Sequence, residues 1–283
     1  IFWMNICGHT SFKLGEIKKV MNKSILERIR EKREFSQLPE KDIEIAFNHF
    51  KKRQATEEEK IELTKKFLRE VFSAFISKKL LSLKNKDEEW ILRKHISTRE
   101  RLSHYEKIYK RIFKEYKEAS VIDLGAGING FSYSFFEKLG IKAKYTAIES
   151  IGQLVELMDF YFRENKLKAR AIHLSLFEKK KVKQIISKEK KPRVVLLFKI
   201  VDALEALKKD YSKELIFEIV SLSDKIVVSF ATRSLGSRKK FKAKRNWIVE
   251  FIKDNFTFLD DFEIGGERYI TFTSSETADE TSL

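Results

Sequence analysis

The chain has 283 residues, 42% of them hydrophobic and 24 of them Phe, enough for one sizeable domain with an appendage or for two small ones. Lys and Arg number 58 against 42 Asp and Glu, and the resulting net charge of +16 favours a polyanionic partner such as nucleic acid. One cysteine, Cys7, excludes a disulfide framework and a cysteine-rich metal site, and no apolar run nears the ~20 residues of a membrane span.

The five His show no close ligand spacing, so no metal is expected. A reducing cytoplasm is the natural home of such a chain. Lysine abundance alone can follow from genome composition or from life at high temperature. Clustering of cations is therefore the better sign of a nucleic-acid partner.

Residues 1–20, "IFWMNICGHTSFKLGEIKKV", lack the cationic and apolar regions of a signal peptide. Met21 opens "MNKSILERIREKREF" like a natural beginning, so residues 1–20 read as untranslated upstream sequence or a dispensable leader. Residues 21–94 carry apolar side chains at three- and four-residue spacing in "SILERIREKREF", "KDIEIAFNHFKKRQA" and "EEEKIELTKKFLREVFSAFISKKLLSL". Thr56 followed by Glu57, Glu58 and Glu59 marks a helix start. These residues read as an all-helical N-terminal domain, separable from whatever cofactor site follows.

Over residues 95–274 the rhythm changes to alternating strands and helices. "ASVIDL", "AKYTAIE", "KARAIHL", "PRVVLLFK" and "DKIVVSF" read as strands. "NGFSYSFFEKL", "IGQLVELMDFYFREN", "FEKKKVKQIISKE", "VDALEAL", "SKELIFEIVSL" and "RNWIVEFIKDNF" read as helices. "FTFLDDFEI", Gly265-Gly266 and "ERYITFT" form a closing hairpin. The pattern predicts an α/β fold, a Rossmann-like parallel sheet with a C-terminal antiparallel hairpin, as in class I S-adenosyl-L-methionine (SAM) methyltransferases. Residues 275–283 read as a disordered acidic tail.

"VIDLGAGINGF" carries the first chemical signal. Gly125, Ala126 and Gly127 let the chain turn closely around a ligand at the end of a buried strand. Asp123 just before the turn would repel a diphosphate but suits the ammonium of SAM. Glu149, ending the second strand, is placed to accept both ribose hydroxyls of an adenosine. Methylation at pyrimidine carbon 5 needs a cysteine nucleophile, which this domain lacks. Where adenine amino methylases carry Asn/Asp-Pro-Pro-aromatic, this chain reads "LLFKIVDAL". Guanine N7 has an in-plane lone pair and no proton, so it needs positioning rather than a base.

In the order "HISTRERL" (residues 95–102), "VIDLGAGIN", "LLFKIVDALE", "VSFATRSLGSR" and "IGGERYITF", the chain resembles the aminoglycoside-resistance 16S rRNA (guanine-N7) methyltransferases. The likeness runs from about His95 to Thr273, and residues 21–94, read as an RNA-docking domain, resemble the family's helical rRNA-docking domain only in helicity and position. The resemblance implies that Arg99 pairs with the SAM carboxylate and that the Asp123–Gly127 loop, Glu149 and Ser150 hold methionine and ribose. It implies that Leu174, Ser175 and Leu176 border the adenine, and that Phe198 and Lys199 lie beside the methyl group and target base. Lys199, Arg233 and Ser234 would act on the target nucleotide, and Glu267 matches an acid of the closing hairpin, expected at the RNA.

Departures mark a distant branch. The loop reads "AGINGF" where the family has Cys-Gly followed by Asn-Pro-Leu, and Ser175 stands where the family has an Asp near the adenine amino group. Six of the nine residues from Ser237 to Arg245 are cationic: Arg238, Lys239, Lys240, Lys242, Lys244 and Arg245. They read as a loop gripping the phosphates around a flipped base.

The leading expectation is thus a monomeric, metal-free SAM-dependent methyltransferase acting on guanine N7 of small-subunit rRNA. Two alternatives remain open: a methyltransferase for tRNA or a ribose 2′-hydroxyl, for which Lys199 could serve as base, and a non-catalytic RNA-binding or ribosome-assembly factor retaining the fold.

Overall fold

The computed structural model describes residues 22–72, 87–232 and 245–275. The expected leader and all but the first residue of the expected acidic tail lie outside these. The N-terminal helices are α1 (Lys23–Arg30), α2 (Glu40–Asn48) and α3 (Glu57–Phe72). The start of α3 is a reciprocal capping box: Glu59 N donates to Thr56 Oγ1 at 3.2 Å, and Thr56 N donates to Glu59 Oε2 at 2.8 Å. Short helices α4 (Glu88–Leu92), α5 (Ile96–Arg101) and α6 (Tyr105–Ile112) then lead into the sheet. Thr98 Oγ1 fixes the α4–α5 corner by donating to Leu92 O at 2.6 Å.

The remaining elements alternate as β1 (Glu118–Leu124), α7 (Ser134–Lys138), β2 (Lys142–Glu149), α8 (Gly152–Glu164), β3 (Ala169–His173), α9 (Lys179–Lys188) and β4 (Arg193–Phe198). They continue as α10 (Val201–Leu207), α11 (Tyr211–Val220), β5 (Lys225–Ala231), α12 (Asn246–Asn255), β6 (Thr257–Ile264) and β7 (Glu267–Thr273). The seven strands form one sheet in the order β3-β2-β1-β4-β5-β7-β6. The first five pair in parallel, β7 runs antiparallel to β5, and β6 pairs antiparallel with β7. This is the expected Rossmann-like sheet with its closing hairpin.

Central strands covered on both faces must be apolar at consecutive positions. In β4 the alternation splits a continuous run. Val194, Leu196 and Phe198 face one core cluster, and Val195 and Leu197 face the other. The second cluster is closed by α9, α10, α11 and α12 through Val182, Leu204, Ile216 and Ile252.

The first cluster carries a feature that the expected separable helical domain did not anticipate. Ile29, Phe35, Ile43, Ile61 and Leu68 of the N-terminal region belong to the same buried cluster as Val121, Tyr145 and Leu196 of the sheet. Polar ties reinforce the junction. Gln37 Nε2 donates to Glu156 Oε1 at 2.9 Å, Gln153 Nε2 donates to Arg33 O at 3.0 Å, and the His49 ring hydrogen-bonds Leu207 O at 2.8 Å. A side chain at Gly152 would sit 2.4 Å from Gln37 Oε1, so the start of α8 abuts the α1–α2 connection. Sequence periodicity shows that a helix has an apolar face, but not that this face covers a particular sheet.

No helix of the described residues is long and apolar enough to cross a membrane. Among the same residues no group of His, Cys, Asp and Glu side chains is arranged to hold a metal ion.

Candidate cofactor and methyl-transfer site

The site lies at the carboxyl ends of β1, β2, β3 and β4, where ligands of open parallel sheets bind. After β1, Gly125 and Gly127 take φ of +70° and +56°, a region that residues with a side chain rarely adopt. A Cβ on Gly125 would also lie 2.7 Å from the Ile200 side chain. Gly130 serves another purpose: a Cβ there would come within 2.6 Å of Phe162 Cζ, so this glycine allows close packing against α8.

Asp123 is 1% exposed. Its Oδ2 accepts from Asn129 Nδ2 at 2.8 Å and from the Tyr145 hydroxyl in a shorter bond, whereas Oδ1 is buried with no partner. Burial pushes the carboxyl pKa up, against the two hydrogen bonds. A ligand ammonium would satisfy the orphan oxygen and restore the favourable charge balance. Glu149 is likewise buried, with its pKa raised by desolvation. Its Oε2 accepts from Gly127 N at 2.8 Å, and its Oε1 from Ile151 N at 2.9 Å and Ser150 Oγ at 3.4 Å. The acid thus ties the β1 loop to the β2 loop, and its remaining acceptor capacity suits ribose hydroxyls. An orphan acceptor for a cation beside a pre-tied ribose acid fits SAM.

From Asp123 a buried polar chain crosses to β4. Asn129 Oδ1 accepts from Arg101 Nη1 at 2.9 Å and from the Tyr105 hydroxyl at 2.7 Å. Arg101 Nε lies 3.0 Å from Glu267 Oε2, and the Lys199 Nζ lies 3.2 Å from the same oxygen and 2.6 Å from Glu100 Oε2. Ser229 Oγ adds a short bond to Glu267. Lys199 has φ of +55° at the tip of β4, and its amide donates to Ser229 O at 3.1 Å. A non-glycine residue held there is strained backbone next to the expected methyl position.

The structure redistributes several expectations. Arg99 is exposed, whereas Arg101 is 3% exposed and reaches the glycine loop through Asn129. Two residues along a helix are about 200° apart, so only one arginine of "STRER" can point inward. Glu267, expected at the RNA, is 1% exposed and pairs internally, because its β7 position faces Ser229 and Arg101 beneath the strand tips. The Phe198 ring lies between the Arg101 guanidinium, 4.9 Å from its centroid, and Tyr269, edge-on at 5.6 Å, so it supports the site from behind. Arg245, expected on phosphates, donates to Asp202 Oδ1 at 2.7 Å and Ala231 O at 2.9 Å. Leu174 and Leu176 are 6% exposed and flank Ser175, whose Oγ accepts from Phe177 N at 3.1 Å. Ala126 is buried and Ser150 half-buried beside Glu149. Arg233, Ser234, Arg238, Lys239, Lys240, Lys242 and Lys244 lie outside the described residues.

Asn129, Tyr145, Arg101, Glu100 and Ser229 were not singled out by sequence reasoning. "HISTRERL" held the signal for Arg101 and Glu100, but nothing in it says which cation turns inward. Asn129 follows the glycine loop and reads equally well as a turn residue.

A family model described as "Ribosomal RNA methyltransferase (FmrO)" matches residues 83–255. A 16S rRNA (guanine(1405)-N(7))-methyltransferase of Micromonospora echinospora is 30% identical over 147 residues, covering 52% of this chain and 50% of the relative. Its counterpart in Micromonospora rosea is 29% identical over the same coverage. The chain thus spans about half the length of the curated relatives it matches. The structure of 16S rRNA methyltransferase RmtF in complex with S-adenosyl-L-homocysteine superposes with a TM-score of 0.74 at 19% identity, covering 90% of this chain and all of that one. The 16S rRNA methylase RmtB gives 0.71 at 18% identity, covering 89% and 98%. At these identities the superpositions speak for the fold alone.

Proposed function

From its membership in the FmrO family of ribosomal RNA methyltransferases, we propose that the chain transfers a methyl group from SAM to guanine N7 of small-subunit rRNA. The observation that carries this reading is the convergence of Asp123, Glu149 and strained Lys199 on one rim of the sheet, with an orphan buried acceptor at the glycine loop.

SAM, when bound, would supply an electrophilic methyl group on a sulfonium. Asp123 would take its ammonium and Glu149 its ribose, with Leu174 and Leu176 bordering the base. Arg101 would hold Asn129 and so the loop, while exposed Arg99 remains available to the cofactor carboxylate at the rim. The acceptor nitrogen would use its in-plane lone pair, so the residues here would have to hold the base in line with the methyl group and would have no proton to remove. Lys199, paired with Glu100 and Glu267, suits holding charge and position better than proton abstraction, which favours N7 over a ribose hydroxyl. Arg233, Ser234 and the cations from Arg238 to Lys244 would engage the target nucleotide and its phosphates. A monomer in the cytoplasm, with the helical N-terminal region docking rRNA, completes the reading.

The test is purified protein with labelled SAM on small subunits and on total tRNA, followed by nucleoside analysis. 7-Methylguanosine in the small-subunit rRNA is expected. Label only in tRNA, or only as a 2′-O-methyl nucleoside, selects the second reading, and SAM binding without transfer selects the assembly factor.

A further inference from the structure

Asp42, on α2, is 3% exposed, and the charged groups that act on it most are the carboxylates of Glu149 and Glu178. The Ser175 hydroxyl lies against its carboxyl, and its Oδ2 is buried with no partner. A buried acceptor left unmatched costs roughly 1–3 kcal/mol, so a helix cap alone would be a poor reason to keep it. The ionisable groups that face it are Glu149, Glu178 and the Tyr211 phenol. Glu149 and Glu178 are carboxylates and the Tyr211 hydroxyl is already spent on Leu176 O at 2.7 Å, so none of these three groups offers Asp42 a hydrogen.

The direction of the site says which donor is missing. In the strand order β3-β2-β1-β4, Asp123 ends β1, Glu149 ends β2 and Lys199 follows β4. With the ammonium at Asp123 and the ribose at Glu149, the nucleoside base extends away from β4, toward the end of β3. Ser175 stands there, and Asp42 stands on Ser175. The α1–α2 connection that delivers Asp42 is pinned to the start of α8, three residues past Glu149, by Gln153 and by the close approach of Gln37 to Gly152.

We propose that Asp42 is a cofactor-binding residue that accepts a hydrogen bond from the exocyclic amino group of adenine, with the Ser175 hydroxyl holding its carboxyl in place. The inference rests on the SAM reading above and adds to it a residue from the N-terminal helices. Burial, with Glu149 and Glu178 adding to it and the Ser175 hydrogen bond opposing, pushes the Asp42 pKa up to about 7. An approaching amino donor favours the ionised acceptor. A helix outside the sheet would thereby complete the adenine pocket and couple cofactor occupancy to the packing of that helix.

The experiment uses the full chain at pH 8 and calorimetric affinities for S-adenosyl-L-homocysteine and S-inosyl-L-homocysteine, whose base carries a carbonyl in place of the amino group. The wild type should prefer the adenosyl ligand by roughly 10-fold or more, the scale of one hydrogen bond to a charged group. Asp42→Ala should lose most of that preference by weakening the adenosyl ligand alone. Asp42→Asn can present either a donor or an acceptor, so it should narrow the preference by strengthening the inosyl ligand. Should the alanine variant not fold, the asparagine variant decides. A preference retained in a folded variant, or equal weakening of both ligands, would overturn the proposal and leave Asp42 a structural acid. A wild type that binds neither ligand would overturn the SAM reading as well, whereas a wild type that binds both equally would overturn Asp42 alone.

Discussion

The Arg101 guanidinium and the Glu267 carboxylate, 166 residues apart in the chain, meet with Nε 3.0 Å from Oε2 and with side chains 3% and 2% exposed. The pair joins the end of α5 to the hairpin after β5, directly beneath the expected methyl position. Burial would raise the Glu267 pKa, but Arg101 and Lys199 hold it below the ordinary carboxylate value. A carboxyl lowered in the folded state stabilises above its unfolded pKa, and that contribution is lost as pH falls through the folded one.

Glu267→Ala should therefore destabilise by about 3–5 kcal/mol at pH 7, because it strands a buried guanidinium. Urea unfolding checks this, and the gap from wild type should close as pH falls below about 4. The double variant Arg101→Met/Glu267→Leu should recover much of the loss, since well-packed apolar pairs often replace buried ion pairs at little cost.

Asp42 predicts the opposite slope. Its folded pKa of about 7 lies above the unfolded value of about 4, so its contribution is fully present below pH 4 and is lost as pH rises through 7. Asp42→Asn removes the penalty of ionising a buried acid. Its stability relative to wild type should rise between pH 5 and pH 8, by an amount on the order of a few kcal/mol. Parallel pH profiles for the two proteins would show that Asp42 is ionised throughout.

Lys199 separates backbone strain from side-chain work. At its φ of +55°, glycine is preferred over alanine by about 1 kcal/mol. Lys199→Gly should thus be more stable than Lys199→Ala by that amount in thermal or urea unfolding. Both should lose methyl transfer severely while S-adenosyl-L-homocysteine affinity stays within a few-fold. A variant that loses the cofactor but transfers normally at saturating SAM would remove Lys199 from the methyl-transfer site.

The shared core changes the outcome of truncation. Removing the chain up to Leu92 uncovers the sheet face that Phe35, Ile43 and Leu68 help to bury. Such a protein should unfold or aggregate, or bind S-adenosyl-L-homocysteine far more weakly, rather than retain the site. A soluble, cooperatively folding fragment with full affinity would show that the helical region folds apart from the sheet.

The elements and their order are legible in local residue patterns. Buried parallel strands read as continuous apolar runs such as "VVLLF", and a turn that needs positive φ reads as Gly125 and Gly127, because both constraints act within a few neighbouring residues. The capping box of Thr56 and Glu59 is local in the same way. Asp123 and Glu149 were legible as candidate cofactor acids because strand ends are recognisable and ligands of open parallel sheets bind across them. Only the tertiary structure showed that Arg101 is buried and Arg99 exposed, since both lie on one short helix and burial depends on what packs against it. The partners of Glu267, and the meeting of Asp42 with Ser175, were equally out of reach. Those contacts join distant segments, and a carboxylate carries no mark in the sequence of whether it will face phosphate, solvent or a buried cation. The same holds for the N-terminal helices: their amphipathic period announced a face to be covered, and only packing showed that the face belongs to the core of the sheet.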